Sequence, residues 1–296
     1  MASIPYMSRP VVFAGGVSTR RAGSPSFALV LGGTLLYLGV IVLLPLGLLL
    51  ASAARQSFAD LWRAAASARV LAAYQLSFSA AAAAALVNAL FGLIVAWVLV
   101  RYQFIGRRLL DALVDLPFAL PTAVAGIALT ALFAPHGWLG APLAALGVKV
   151  AFTPLGITVA LVFIGLPFVV RSVQPVLEDL DTIYEDAATS LGASRWQIFA
   201  RVIFPEIAPA LLSGFALAFA RGLGEYGSVI FIAGNMPMHT EIAPLLIVSK
   251  LEQYDYQGAT AIAVVMLCIS FMMLLGINLL QWLRSRRLSG AEAGAD

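Results

Sequence analysis

The chain has 296 residues, 61% hydrophobic and 11% charged, with a mean hydropathy of +0.94 and a formal net charge of +3. Soluble domains carry about 25% charged residues, so this composition excludes one and describes a polytopic membrane protein without a nucleic-acid surface. A single cysteine, Cys268, lies inside an apolar run, which excludes an internal disulfide and a Cys-based metal site and leaves it a packing role.

Residues 1–25 are polar and irregular, with Arg9, Arg20 and Arg21 and no acidic residue, and read as a disordered tail. From Phe27 to Ala54 the chain is apolar. That run exceeds the about 7 to 15 residues of a signal-peptide core and suffices to cross a bilayer, so it is span one. Arg55 to Tyr74 mixes charges with Ala, Leu and Trp62, which fits an interfacial helix or a solvated connector. Span two follows from Leu76 to Val100, then a short basic loop from Arg101 to Arg108. Span three, Leu109 to Phe133, has Asp111 and Asp115 one turn apart and two prolines, Pro117 and Pro121, that predict a bent helix. Asp111 is within reach of Arg107 or Arg108 as an interfacial anchor.

Pro135 to Thr153 is a Gly- and Pro-rich loop. Span four, Pro154 to Val176, carries a break at Gly165-Leu166-Pro167 and Arg171 near its end. Span five runs from Ala208 to Ala233, a polar loop from Asn235 to Gln257, and span six from Gly258 to Leu283. The expectation is therefore an all-α protein with one six-helix transmembrane domain over residues 26–286 and a C-terminal tail, residues 287–296.

The longest soluble-looking stretch is Glu178 to Pro209. Thr182 with Glu185, and Ser194 with Gln197, each have capping-box spacing, so helices are predicted to start at Ile183 and Arg195. Gly192 supplies the permissive dihedral between them, and Pro205 is expected to end the second. Ile183, Ala187, Ala188 and Leu191 share one face of the first; Trp196, Phe199, Ala200 and Ile203 make the stripe that should pack on the spans. Arg9, Arg20, Arg21, Arg101, Arg107, Arg108, Arg171, Arg195, Arg201, Arg284, Arg286 and Arg287 fall on the side of this stretch and of both ends, with Arg221 inside a span. Only Arg55, Arg63, Arg69, Lys149 and Lys250 fall on the other, which places the stretch and both termini in the cytoplasm.

The chain has no GxxxxGK[ST] phosphate loop and no metal-ligand pattern, so it should neither split a nucleotide nor catalyse a reaction. Within span five, Arg221 and Glu225 stand one turn apart beside Gly222, Gly224 and Gly227. Intramembrane charges are costly and line a cavity or neutralise one another, so this group either borders a translocation path or forms a structural pair.

Asp186-Ala187-Ala188, three residues, Gly192, nine residues, Val202, one residue, Phe204, Pro205 resembles the EAA loop of permease subunits in ATP-binding-cassette importers. Asp186, Val202 and Phe204 stand where that pattern has Glu, Ile and Leu. The stretches DLPFALPTAVAG (Asp115 to Gly126), LPFVVRSVQPVLE (Leu166 to Glu178) and GEYGSVIFIAGN (Gly224 to Asn235) are similar to the T-type sulfate/thiosulfate permeases, a resemblance that covers nearly the whole chain.

The resemblance implies a type I importer permease fold in a bacterial inner membrane. It also implies a homologous second permease, two copies of a cytoplasmic ATPase that uses ATP and magnesium, and a periplasmic sulfate/thiosulfate-binding protein. This chain itself would hold no cofactor. Tyr184, Glu185, Asp186, Ala187, Ala188, Leu191, Gly192 and Pro205 would then form the coupling helix and joint, and Arg221, Gly224, Glu225 and Gly227 would border the path. A molybdate or tungstate permease fits the same motifs, whereas a motor-free channel or ion-driven carrier leaves the spacing from Asp186 to Pro205 unexplained.

Overall fold

The computed structural model describes residues 25–292, where every regular element is a helix. The expected tail through Ser24 and the residues from Ala293 onward lie outside the described residues. The chain divides into two compact units after Ala51. In the first, α1 (Pro25–Leu38) passes through a π turn (Gly39–Leu43) into α2 (Leu44–Ala54). Pro45 has no N–H to donate, and its ring crowds the carbonyl four residues back. The wide turn, closed by Leu44 N donating to Gly39 O, puts one surplus residue just ahead of it.

The first whole helix of the second unit, which begins at Ser52, is α3 (Phe58–Ala65), a short helix with Phe58 and Trp62 stacked at 6.4 Å on its exposed side. Helix α4 (Ala68–Arg101) starts earlier than the expected Leu76, because no breaker intervenes between Ser67 and Arg101. The third expected span is broken rather than bent, into α5 (Arg107–Val114), α6 (Leu116–Ala119) and α7 (Thr122–Phe133). Leu120, forced out of the helical region by Pro121, is extended at ψ 135°, and Pro121 caps α7. With α7 only 12 residues long, five helices among the described residues are long and apolar enough to cross a membrane, not six.

After α8 (Gly140–Ala145), α9 (Pro154–Asp179) runs unbroken through Pro167 and Pro175, against expectation. Interior prolines cost about 3 kcal/mol each, a penalty that the dense packing on both sides of α9 overrides. Then come α10 (Ile183–Ser190), α11 (Arg195–Ile198), a second π turn (Phe199–Ile203) and α12 (Phe204–Leu223). Pro205 does not end the helix. Phe204 N donates five residues back to Phe199 O, the same device seen before Pro45. The fifth expected span does end early, at Leu223, and a turn leads to α13 (Val229–Ala233).

Helices α4, α9 and α12 form the core, and small residues set their separation. A Cβ on Gly214 of α12 would lie 2.8 Å from the Val169 Cα of α9, and one on Gly165 would lie 2.4 Å from the Asn88 amide nitrogen of α4. Such backbone approach is how helices associate when apolar burial gives no preference for protein over lipid. The expected polar loop after Asn235 contains α14 (Ala243–Glu252), whose Ala243, Leu245 and Leu246 are buried before α15 (Tyr256–Glu292) begins. There Arg69 donates to both oxygens of the buried Glu241 at 2.7 Å, and Ala243 N donates to Ser77 Oγ at 2.8 Å. Cys268, expected to pack, is exposed on α15.

The broken third span is fastened by one side chain. Arg171 of α9 donates Nε and Nη2 to the two oxygens of Asp115 at 2.8 and 2.6 Å, and Nη1 to Asp111 Oδ1 at 2.6 Å. Asp111 therefore serves α9 rather than Arg107 or Arg108, because a spacing of one turn turns both carboxylates the same way.

Arg171→Gln should lower stability by roughly 1–2 kcal/mol, since it leaves two carboxylates adjacent and partly exposed pairs are worth about 1 kcal/mol or less each. Thermal unfolding of the purified protein measures this, and adding Asp111→Asn and Asp115→Asn should recover part of the loss. Beyond α14, the Lys250 ammonium at 2.8 Å and the Gly258 N–H at 2.9 Å hold the Asp255 carboxyl below its usual range. A depressed carboxylate contributes stability above its unfolded pKa of about 3.9 and loses it as pH falls through the lower folded value. Acid sensitivity below about pH 4 should diminish in Lys250→Met, as read by unfolding against pH.

Candidate functional site

The stretch from α10 to the second π turn folds as a hairpin. Ser194 forms its predicted box: Gln197 N donates to Ser194 Oγ and Ser194 N donates to Gln197 Oε1 at 2.8 Å. The box predicted at Thr182 does not form. Thr182 is already helical, Asp181 Oδ1 accepts from Ile183 N at 3.0 Å, and Glu185 turns to Arg101 instead. Helix α10 ends at Gly192, with φ +82°, where Gly192 N donates to Thr189 O and Ala193 N to Ala188 O. That pair of reversed bonds is the Schellman ending, and it needs the left-handed conformation that glycine adopts without strain.

The faces differ from the periodic reading. On α10 the inward residues are Glu185 and Ala188; Ile183, Tyr184, Asp186, Ala187 and Leu191 face out, with Leu191 88% exposed. On the second arm Trp196 is 73% exposed and Ala200 is exposed, while Ile198, Phe199, Val202 and Ile203 pack on the core. The surplus residue of the π turn shifts the buried stripe out of the uniform 3.6 period, which sequence periodicity does not register. A cavity of about 340 Å³ opens in the angle between the arms, lined by Leu191, Gly192, Gln197, Arg201 and Val202 among others. Pro205 stands exposed where the second arm becomes α12.

The charged group of the fifth expected span lies at its break. Arg221 Nη1 is 2.5 Å from Glu225 Oε2, with Arg221 about a third exposed and Glu225 2% exposed. The other oxygen, Glu225 Oε1, accepts from Ser228 N at 2.9 Å and Ser228 Oγ at 3.1 Å, so the carboxylate organises the turn. Gly224 ends α12, and Gly227 abuts the start of α7: a Cβ there would come within 2.2 Å of Thr122 Oγ1. The breaks of two interrupted helices thus meet. Sequence reading located Arg221, Glu225 and the glycines but missed Thr122, for which Pro121 before it was the available signal.

Among the described residues the body is helical, with small-residue helix packing and two interrupted helices whose breaks meet, an arrangement that membrane transporters use to build a polar route. The sequence profile of the family described as the binding-protein-dependent transport system inner membrane component matches residues 88–289, and the chain belongs to that family.

Within it the chain is 51% identical over 274 residues to the sulfate transport system permease protein CysT of Escherichia coli strain K12, covering 93% of this chain and 99% of that one. It is also 51% identical over 248 residues to the probable sulfate transport system permease protein cysT of Nephroselmis olivacea, covering 84% and 87%. The fold matches a bacterial ABC transporter involved in the import of the acidic polysaccharide alginate, with TM-score 0.71 at 16% identity over 86% of this chain and 94% of that one. It also matches the MetNI methionine ABC transporter in inward-facing conformations, with TM-score 0.53 at 17% identity over 78% and 99%.

Gly192→Val should strain the hairpin by about 1–2 kcal/mol, the cost of a left-handed L-residue, and more than Gly192→Asn does. Both variants should insert normally, and limited proteolysis between Leu191 and Arg195 should be faster in the valine variant.

Proposed function

We propose that this chain is a permease subunit of an ATP-driven importer that moves sulfate and thiosulfate across the bacterial inner membrane. The observation that carries this is the likeness to sulfate permeases across 93% of the chain. The chain is the non-catalytic part: it provides the path and receives the motor's movement. In this reading α5, α6 and α7 together make the third of six crossings, and the Arg101 end of α4 faces the cytoplasm with the hairpin and both termini.

Partners follow from that arrangement. A homologous second permease completes the path, two copies of a cytoplasmic ATPase dock on the hairpins and use ATP with magnesium, and a periplasmic binding protein delivers the anion. Tyr184, Asp186, Ala187 and Leu191 form the outward face of α10 and suit a docking cleft, while Gly192 and Pro205 bound the joint. Glu185 and Ala188 hold the same helix to the body.

Sulfate is a strongly hydrated dianion that cannot enter hydrocarbon and needs a polar route. The meeting of two helix breaks supplies one. Arg221 brings a cation, Gly224 and Gly227 keep side chains out of the turn, and the positive end of α7 abuts the turn that Glu225 organises. Molybdate or tungstate shares the tetrahedral charge, so cargo is decided by competition. Uptake that resists excess sulfate would refute the sulfate reading, and uptake without any ATPase would refute the importer class.

In vesicles containing the assembled complex, Arg221→Ala should lower uptake about tenfold while assembly persists, an interaction loss of about 1.4 kcal/mol. Leu191→Asp should strip the ATPase during co-purification; retention of the ATPase would refute docking at this face.

A further inference from the structure

The last turns of α4 sit between the two arms of the hairpin. Arg101 Nη2 lies 2.5 Å from Glu185 Oε1 on α10, and the two side chains are only 16% and 25% exposed. The same guanidinium stands 5.5 Å from the centre of the Trp97 ring, one turn back on α4. Trp97 meets Phe199 of the second arm edge-on at 5.8 Å, and Phe199 carries Trp196 at 5.6 Å and Phe204 at 6.0 Å. One arm is thus held by an ion pair and the other by an aromatic cluster, both from a single turn of α4.

Covalent connection alone would join the hairpin only to α9 and α12. The Arg101 and Trp97 contacts add the third helix of the core, one whose far end holds Glu241 through Arg69 and Ala243 through Ser77. The manner of holding also differs from that at Arg171, where Nε, Nη1 and Nη2 all bond. Arg101 makes one short contact to Glu185 while its buried Nε has no partner. A single charge-assisted contact over a ring transmits displacement yet permits rotation, whereas a bidentate fork fixes orientation.

We propose that Arg101, seated on Trp97, is the positioning residue that ties the coupling hairpin to α4, so that motor-driven displacement of the hairpin moves all three core helices together. This rests on the reading of the hairpin as the ATPase-docking element. Arg101 touches neither anion nor nucleotide and acts through Glu185.

The test uses the complete importer, with both permeases, the ATPase and the binding protein, reconstituted in proteoliposomes with sulfate as cargo. Arg101→Gln should retain the ATPase at its normal stoichiometry but lower sulfate moved per ATP hydrolysed about tenfold, the size of a typical coupling between sites. Arg101→Lys should keep most of the coupling, and the exchange Arg101→Glu with Glu185→Arg should recover more of it than Arg101→Glu alone. Unchanged sulfate per ATP in Arg101→Gln overturns the proposal, as does loss of the ATPase from that variant, which would make the contact one of assembly. Loss of the ATPase in Leu191→Asp beside normal coupling in Arg101→Gln would refute this proposal alone and leave the docking reading standing.

Discussion

At Gly214 the backbone of α12 comes so near α9 that one added methyl group would stand 2.8 Å from the Val169 Cα. Everything else is arranged around that closeness. In lipid, apolar burial does not distinguish one helix face from another, so association rests on how near the backbones approach and on polar contacts between them. The alanines along α4, with Gly92, Gly165, Gly214 and Gly222, let three helices meet with little between them. Because the helices are so close, the long side chains with charge are displaced to the ends, where Arg69, Arg101 and Arg171 each reach a carboxylate from another element. The middle of the bundle is dense, and the charged side chains are paired at its ends because the middle has no room for them.

The contrast between legible and hidden features follows the range of the physics involved. Local determinants were readable: the Ser194 box, the left-handed Gly192 and the length of the first span all depend on a few consecutive residues. Proline was readable as a disturbance but not in its outcome. Pro121 broke a span, Pro167 was absorbed inside a packed helix, and Pro205 was accommodated by a π turn. What decides among these is the neighbouring helix, which no local pattern names. The pairing of Glu185 with Arg101 rather than with the Thr182 cap, and of Asp111 with Arg171 rather than with Arg107, has the same origin. An ion pair between residues 84 positions apart has no periodicity to betray it.

Arg221 and the second arm of the hairpin lie on one continuous helix, Arg195–Leu223. From the capped start at Arg195 to Arg221 and the turn at Glu225 there is no flexible joint, only the π turn. The second arm of the hairpin and the polar break are therefore opposite ends of a single rod, and the rod is gripped along its length by α9 and α4. This economy explains why so small a hairpin is set so firmly at its root, with Ile198 and Ile203 buried, and yet so open at its tip.

The π turn on that rod also sets a phase. One surplus residue taken up between Phe199 and Ile203 sets the following residues roughly 100° behind where an uninterrupted α-helix would put them. The azimuth at which Arg221 emerges is thereby fixed by an irregularity almost twenty residues away: the same residues wound as unbroken α-helix would turn that charge toward a different neighbour. The winding of the helix, as much as the identity of its residues, aims the charge.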